Sequence, residues 1–104
     1  MIKERLSMIF TWDELDRVQI REAENDSAAM IIADVHGMKC YEAKRFINNI
    51  INAIRTTFQL IIIHGYNHGT AIKDMLADSF KNRHVYSQFQ DQYNRGRTRM
   101  YVAA

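Results

Sequence analysis

The sequence predicts an α/β domain, a two-layer βαβαββ sandwich with a mixed four-stranded sheet. Three observations carry this expectation. Two short apolar runs, Met30-Ile31-Ile32-Ala33 and Phe58-Gln59-Leu60-Ile61-Ile62-Ile63, are each followed by an amphipathic segment, the pattern of buried parallel strands joined by crossover helices. Two alternating runs close the chain, Val85-Tyr86-Ser87-Gln88-Phe89 and Thr98-Arg99-Met100-Tyr101-Val102. The length of 104 residues, 47% apolar and 25% charged, leaves room for one hydrophobic core and no second one.

Residues 1–29 read as an arm packed on a domain of residues 30–104. Ile9-Phe10-Thr11-Trp12 is apolar enough to dock, and Glu24-Asn25-Asp26-Ser27 reads as a connector; with no proline in the chain, nothing marks a sharp boundary. The first strand leads into Asp34-Val35-His36. In the helix that follows, Ala43, Phe46, Ile47, Ile50, Ile51 and Ile54 fall on one face, with Lys44, Arg45, Asn48, Asn49, Asn52 and Arg55 opposite. The second strand ends at His64. The second helix turns Ile72, Met75, Leu76 and Phe80 to the core and Lys73, Asp74 and Asp78 to water; Thr70 suits its N-cap, and Asp74 suits the helix dipole. Residues 91–97 are a polar loop between the last two strands.

Composition narrows the classes. A single cysteine, Cys40, excludes an internal disulfide framework and fits a reducing compartment. No apolar run approaches a membrane span, and the first residues, with Lys3, Glu4 and Arg5, do not read as a secretion signal. The expected location is therefore cytoplasmic, with no membrane partner. The net charge of +2 is uneven: residues 1–35 carry −4, residues 36–80 carry +2 and residues 81–104 carry +4. A basic end on a neutral body suits a polyanion such as nucleic acid, a solvated surface being the alternative.

The residues with chemistry gather at the strand ends. Asp34 and His36, two apart, leave one face of a strand just before Gly37. In open α/β sheets, ligands bind beyond the carboxyl ends of parallel strands. The second strand ends likewise, at His64-Gly65-Tyr66-Asn67-His68-Gly69-Thr70. A glycine turn opening a helix can offer amide N–H groups to an anion. If the two strands pair, both ends share one crevice. Asp34, His36 and His64 are the candidate catalytic residues: His36 as general acid or base, because imidazole titrates near neutrality, and Asp34 to orient it or hold a metal. Gly65, Asn67, His68 and Gly69 are candidate phosphate binders. In Asn94-Arg95-Gly96-Arg97-Thr98, Arg95 and Arg97 add guanidinium groups suited to phosphate oxygens. Tyr66, Tyr86 and Tyr93 can stack on bases or simply pack. Each piece has a plainer alternative: Asp34 as a helix cap, His36 and His64 as satisfied structural histidines, and the glycines as turn formers. Asp34, His36, His64 and His68 are numerically enough for zinc, although the turn between the last two leaves their geometry open. Magnesium or manganese bridged by Asp34 and a substrate phosphate is the simpler metal expectation. Cys40 has no identifiable base partner.

Asp34-Val35-His36-Gly37, the His64 to Thr70 turn and Asn94-Arg95-Gly96-Arg97-Thr98, in this order and with these intervening elements, resemble the Smr (small MutS-related) domain over residues 30–102. The chain departs from the family pattern at Ala33, Val35, Lys39 and Asn67. The resemblance implies a fold similar to the C-terminal domain of translation initiation factor 3. It also implies binding of DNA or RNA and, in several members, endonuclease activity, a hydrolase chemistry on phosphodiester bonds. A non-catalytic nucleic-acid or ribosome-associated module is the competing expectation. An acidic arm used for a protein partner or self-association is a third.

Overall fold

The computed structural model describes residues 2–22, 28–65, 69–91, 94 and 96–103. In chain order the elements are α1 (Ile2–Ser7), α2 (Trp12–Leu15), β1 (Val18–Arg21), β2 (Ala29–Asp34), α3 (Cys40–Ala53), β3 (Phe58–Ile63), α4 (Ala71–Asp78), β4 (Val85–Gln90) and β5 (Arg97–Val102). The strands form one mixed sheet in the order β1-β2-β3-β5-β4. β2 and β3 are parallel neighbours, Asp34 lying opposite Ile63, so α3 is the expected crossover. α4 carries the chain past the middle of the sheet to the edge at β4, and β5 returns antiparallel into the gap beside β3.

The sheet has five strands rather than four. The added strand, β1, comes from the segment expected as an arm, and it pairs antiparallel with β2, Val18 opposite Ala33 and Ile20 opposite Ile31. Its four residues alternate, yet Asp16, Arg17 and Glu22 flank them. So short a run has little strand signal of its own, and its partner on the sheet edge supplies the stability. Described residues before β1 join the core. Ile2, Leu6 and Phe10 are buried there, and the Phe10 ring stacks on Phe46 with centroids 4.8 Å apart. A capping box starts α2: Glu14 N–H donates to Thr11 Oγ1 at 3.2 Å, and Thr11 N–H donates to Glu14 Oε1 at 2.9 Å.

The two faces of the sheet differ. Ala29, Ile31 and Ala33, Phe58, Leu60 and Ile62, and Met100 and Val102 point to one side and are buried with Leu6, Ala43, Phe46, Ile47, Ile50, Ile51, Ile72 and Leu76 of the helices. Each large side chain among them removed from water contributes about 1.5–3 kcal/mol, which fixes the register. A slip of one residue would turn the row outward. On the other side lie Gln19 and Arg21, Met30, Ile32 and Asp34, Gln59, Ile61 and Ile63, Ser87 and Phe89, and Arg97, Arg99 and Tyr101. No helix among the described residues packs on that side. No described helix is long and apolar enough to cross a membrane.

Candidate functional site

Two strand ends and one β-turn converge at the carboxyl edge of the parallel pair. β2 stops at Asp34 because Gly37, with φ of 80°, turns the chain away. Within that turn the Asp34 Oδ1 atom accepts the His36 N–H at 3.1 Å and also meets His36 Nδ1. A carboxylate oxygen only accepts, so Nδ1 carries the proton and the opposite ring nitrogen, Nε2, is presented outward. The His36 side chain is 66% exposed and that of Asp34 35%. Arg17, just before β1, holds the turn from beside it. Its guanidinium donates to Asp34 O at 3.2 Å and His36 O at 3.1 Å, and its carbonyl accepts Asp34 N–H at 2.8 Å.

The second strand end is built differently. His64 is buried. Its Nδ1 donates to Gly65 O at 2.8 Å, and its Nε2 accepts from Thr98 Oγ1 at 2.9 Å. The carbonyl fixes this tautomer, because it cannot donate. Both nitrogens of a neutral ring are thus engaged within the protein. Burial holds the His64 pKa below its ordinary range, the Gly65 carbonyl opposes that shift, and the nearby Lys73 charge adds to it. The Gly96 carbonyl joins the third element, accepting His64 N–H at 2.8 Å and Gly65 N–H at 3.1 Å. The turns lie so close that a Cβ on Gly96 would stand 3.3 Å from Gly65 Cα. A Cβ on Gly65 would in turn meet His36 Cβ at 3.8 Å, which places the first two motifs side by side.

Between them opens a cleft of about 560 Å³ whose wall includes His36, Gly37, His64, Gly65, Gly69, Lys73 and Asn94. Of the residues expected from sequence, His36, His64, Gly65 and Gly69 therefore share one cavity. Asn67, His68 and Arg95, with Tyr66 and Tyr93, lie outside the described residues. Asp34 and Arg97 do not line the cleft. They stand on the helix-free face in one row, either side of Ile63, about 10 Å apart as two strand spacings. Arg97 pairs with Asp91 at 3.2 Å. The Gly65 N–H, expected to face an anion, is directed to Gly96 instead.

Three contributors were not anticipated. Lys73, expected in water, is half-buried and lines the cleft from the first turn of α4. There the Thr70 hydroxyl donates to Asp74 Oδ2 at 2.8 Å rather than receiving a backbone N–H. Asn94 accepts Gly96 N–H at 2.9 Å and sets the third turn. Arg17 had no local signal at all, since its partners are 17 and 19 residues away. Cys40 is half-buried beside the core.

For a metal, among the described residues no three His, Cys, Asp or Glu side chains converge, and both His64 nitrogens are occupied. Asp34 Oδ1 serves His36, so a divalent ion would have Oδ2 and substrate oxygens. Among the described residues this is less than a dedicated all-protein metal site needs, and it matches only an ion shared with a substrate phosphate. The fold and site define an α/β domain with a five-stranded mixed sheet and a histidine–carboxylate pair at the rim of a strand-end cleft. No family model matches the chain, and neither the curated proteins nor the solved structures give a significant match.

Proposed function

We propose that this chain is a nucleic-acid-binding domain of the Smr type and that its strand-end site cleaves phosphodiester bonds in DNA or RNA. The observation that carries the reading is the Asp34–His36 pair, with a free imidazole Nε2 at the rim of a cleft that also holds Lys73. In this mechanism the Asp34 carboxylate, hydrogen-bonded to Nδ1, fixes the imidazole orientation and leaves Nε2 toward the substrate. His36 Nε2 takes the proton from the attacking oxygen, water or a ribose 2′-hydroxyl, or gives one to the departing oxygen. Lys73 and the first-turn amides of α4 balance the charge on the phosphate. His64 shapes the wall and transfers no proton. The test is incubation of labelled single- and double-stranded DNA and RNA, with and without magnesium or manganese. Cleavage that survives Asp34→Ala and His36→Ala in folded protein would refute the assignment.

One observation favours a second reading, a non-catalytic nucleic-acid or ribosome-associated module. The His64 nitrogens and the Gly65 amide all have internal partners, leaving His36 as the one imidazole open for chemistry among the described residues of the cleft. That reading expects salt-sensitive binding and no cleavage in any metal.

A further inference from the structure

The cleft accounts for one edge of the sheet and leaves its helix-free face without a role. That face has an uneven composition. Tyr86, Phe89 and Tyr101 form a ring cluster on β4 and β5, with Tyr101 centred 6.2 Å from Tyr86 and 5.8 Å from Phe89. Tyr86 is 65% exposed and Phe89 43%, high for rings of that size. A register shift between Val85 and Ser87 puts the extra residue, Tyr86, beside Tyr101 on this side. Arg99 lies opposite Phe89, and its guanidinium donates to the neutral Gln59 at 2.8 Å rather than to an acid. Arg21 and Arg97 occupy the same face, Arg97 paired with Asp91 at 3.2 Å, and Asp34 is the carboxylate at the outward strand positions.

We infer that this face is a platform for single-stranded nucleic acid, with unstacked bases lying on Phe89, Tyr86 and Tyr101 and phosphates on Arg99. The inference rests on the proposed nucleic-acid reading and extends it to a second surface. Open rings interleaved with guanidinium groups suit bases freed from a duplex, since every base offers a face for stacking. A single strand suits the face better than a second copy of this chain, because Arg99 has a neutral partner in Gln59 and a phosphate would supply the opposite charge. Along β5, Tyr101, Arg99 and Arg97 follow at intervals of about 7 Å. Arg97 shares its row with Asp34, so a strand laid along β5 from the rings passes toward the Asp34–His36 edge.

The test is fluorescence anisotropy of a labelled oligouridylate and a labelled oligothymidylate, without divalent metal, against the full chain. Unlabelled duplex and polyglutamate serve as competitors. The double variant Tyr86→Ala/Phe89→Ala should bind single strands roughly tenfold or more weakly, while Phe89→Tyr should bind as the parent does. Arg99→Gln should flatten the salt dependence. Thermal unfolding and circular dichroism confirm that each variant is folded. Parental affinity in the folded double variant, or polyglutamate competing as well as the oligonucleotide at equal charge, would overturn the inference. Cleavage of the same oligonucleotides is read separately. Ring-dependent binding with no cleavage removes the nuclease reading and supports this one, whereas cleavage with binding that ignores the rings overturns this one alone.

Discussion

The two parallel strands end alike in sequence, each in a histidine followed by a glycine, and differently in space. At the end of β2, His36 is largely exposed, one nitrogen held by Asp34 and the other presented outward. At the end of β3, His64 is buried, with a carbonyl on one nitrogen and a hydroxyl on the other. The difference comes from β5. It lies antiparallel beside β3 and brings Thr98 and the Gly96 carbonyl over the second strand end, while β2 has only the short β1 on its outer side. The same residue type thereby presents an open nitrogen at one strand end and is sealed into the architecture at the other.

This contrast predicts separable defects. The largest effect belongs to His36→Ala, which should reduce phosphodiester cleavage by about 10²–10⁴-fold, the usual contribution of a general acid or base. Its thermal midpoint should stay near that of the parent, because the lost side chain is exposed; single-turnover cleavage and calorimetry read the two separately. His64→Ala should act the other way. It leaves the Thr98 hydroxyl and the Gly65 carbonyl without their partner and should cost about 2 kcal/mol of stability, lowering the midpoint by roughly 10 °C in a domain of this size.

The same histidine gives stability a pH dependence. The folded pKa of His64 lies below the ordinary value of 6.5 because burial disfavours its charged form. The unfolded chain therefore binds a proton that the folded one refuses. The His64 contribution is complete above pH 6.5 and declines as pH falls below 6.5 toward the lower folded pKa. Urea unfolding at stepped pH should reveal this loss, and His64→Gln should remove that part of the slope. Gly96→Ala sharpens the role of the third turn. Its Cβ would press on Gly65 Cα and Asn94 Oδ1, each 3.3 Å away, and should destabilise by about 1–2 kcal/mol, as overpacking against backbone does. The smallest expected effect is Arg17→Ala. Two partly exposed hydrogen bonds to Asp34 O and His36 O would be lost, about 1 kcal/mol together. Cleavage should decline more than stability, since what loosens is the His36 turn.

Much of this was legible in the sequence because it is local. The spacing from Ala43 to Ile54 expresses the buried face of α3, and the apolar runs before Asp34 and His64 express strands shielded by helices. Gly37 and Gly65, with φ of 80° and 74°, mark turns that side chains resist. What sequence pattern missed depends on long-range pairing. β1 is four residues whose stability lies in β2, and Arg17 acts on carbonyls that its own surroundings do not reveal. Whether a histidine is exposed or sealed depends on which strand lies next to it. For His64 that strand comes 34 residues later, where Thr98 meets its ring. Lys73 looked solvated because helical periodicity locates the core side of α4 and says nothing of the cleft at its first turn.

One paired measurement tests the division of labour between His36 and His64. Cleavage of a labelled single-stranded substrate per folded molecule, with the thermal midpoint of the same samples, is compared for the parent, His36→Ala and His64→Ala. His36→Ala should keep the midpoint and lose cleavage, while His64→Ala should lower the midpoint and keep cleavage below it. The opposite pattern, with cleavage retained in folded His36→Ala and abolished in folded His64→Ala, would contradict that division.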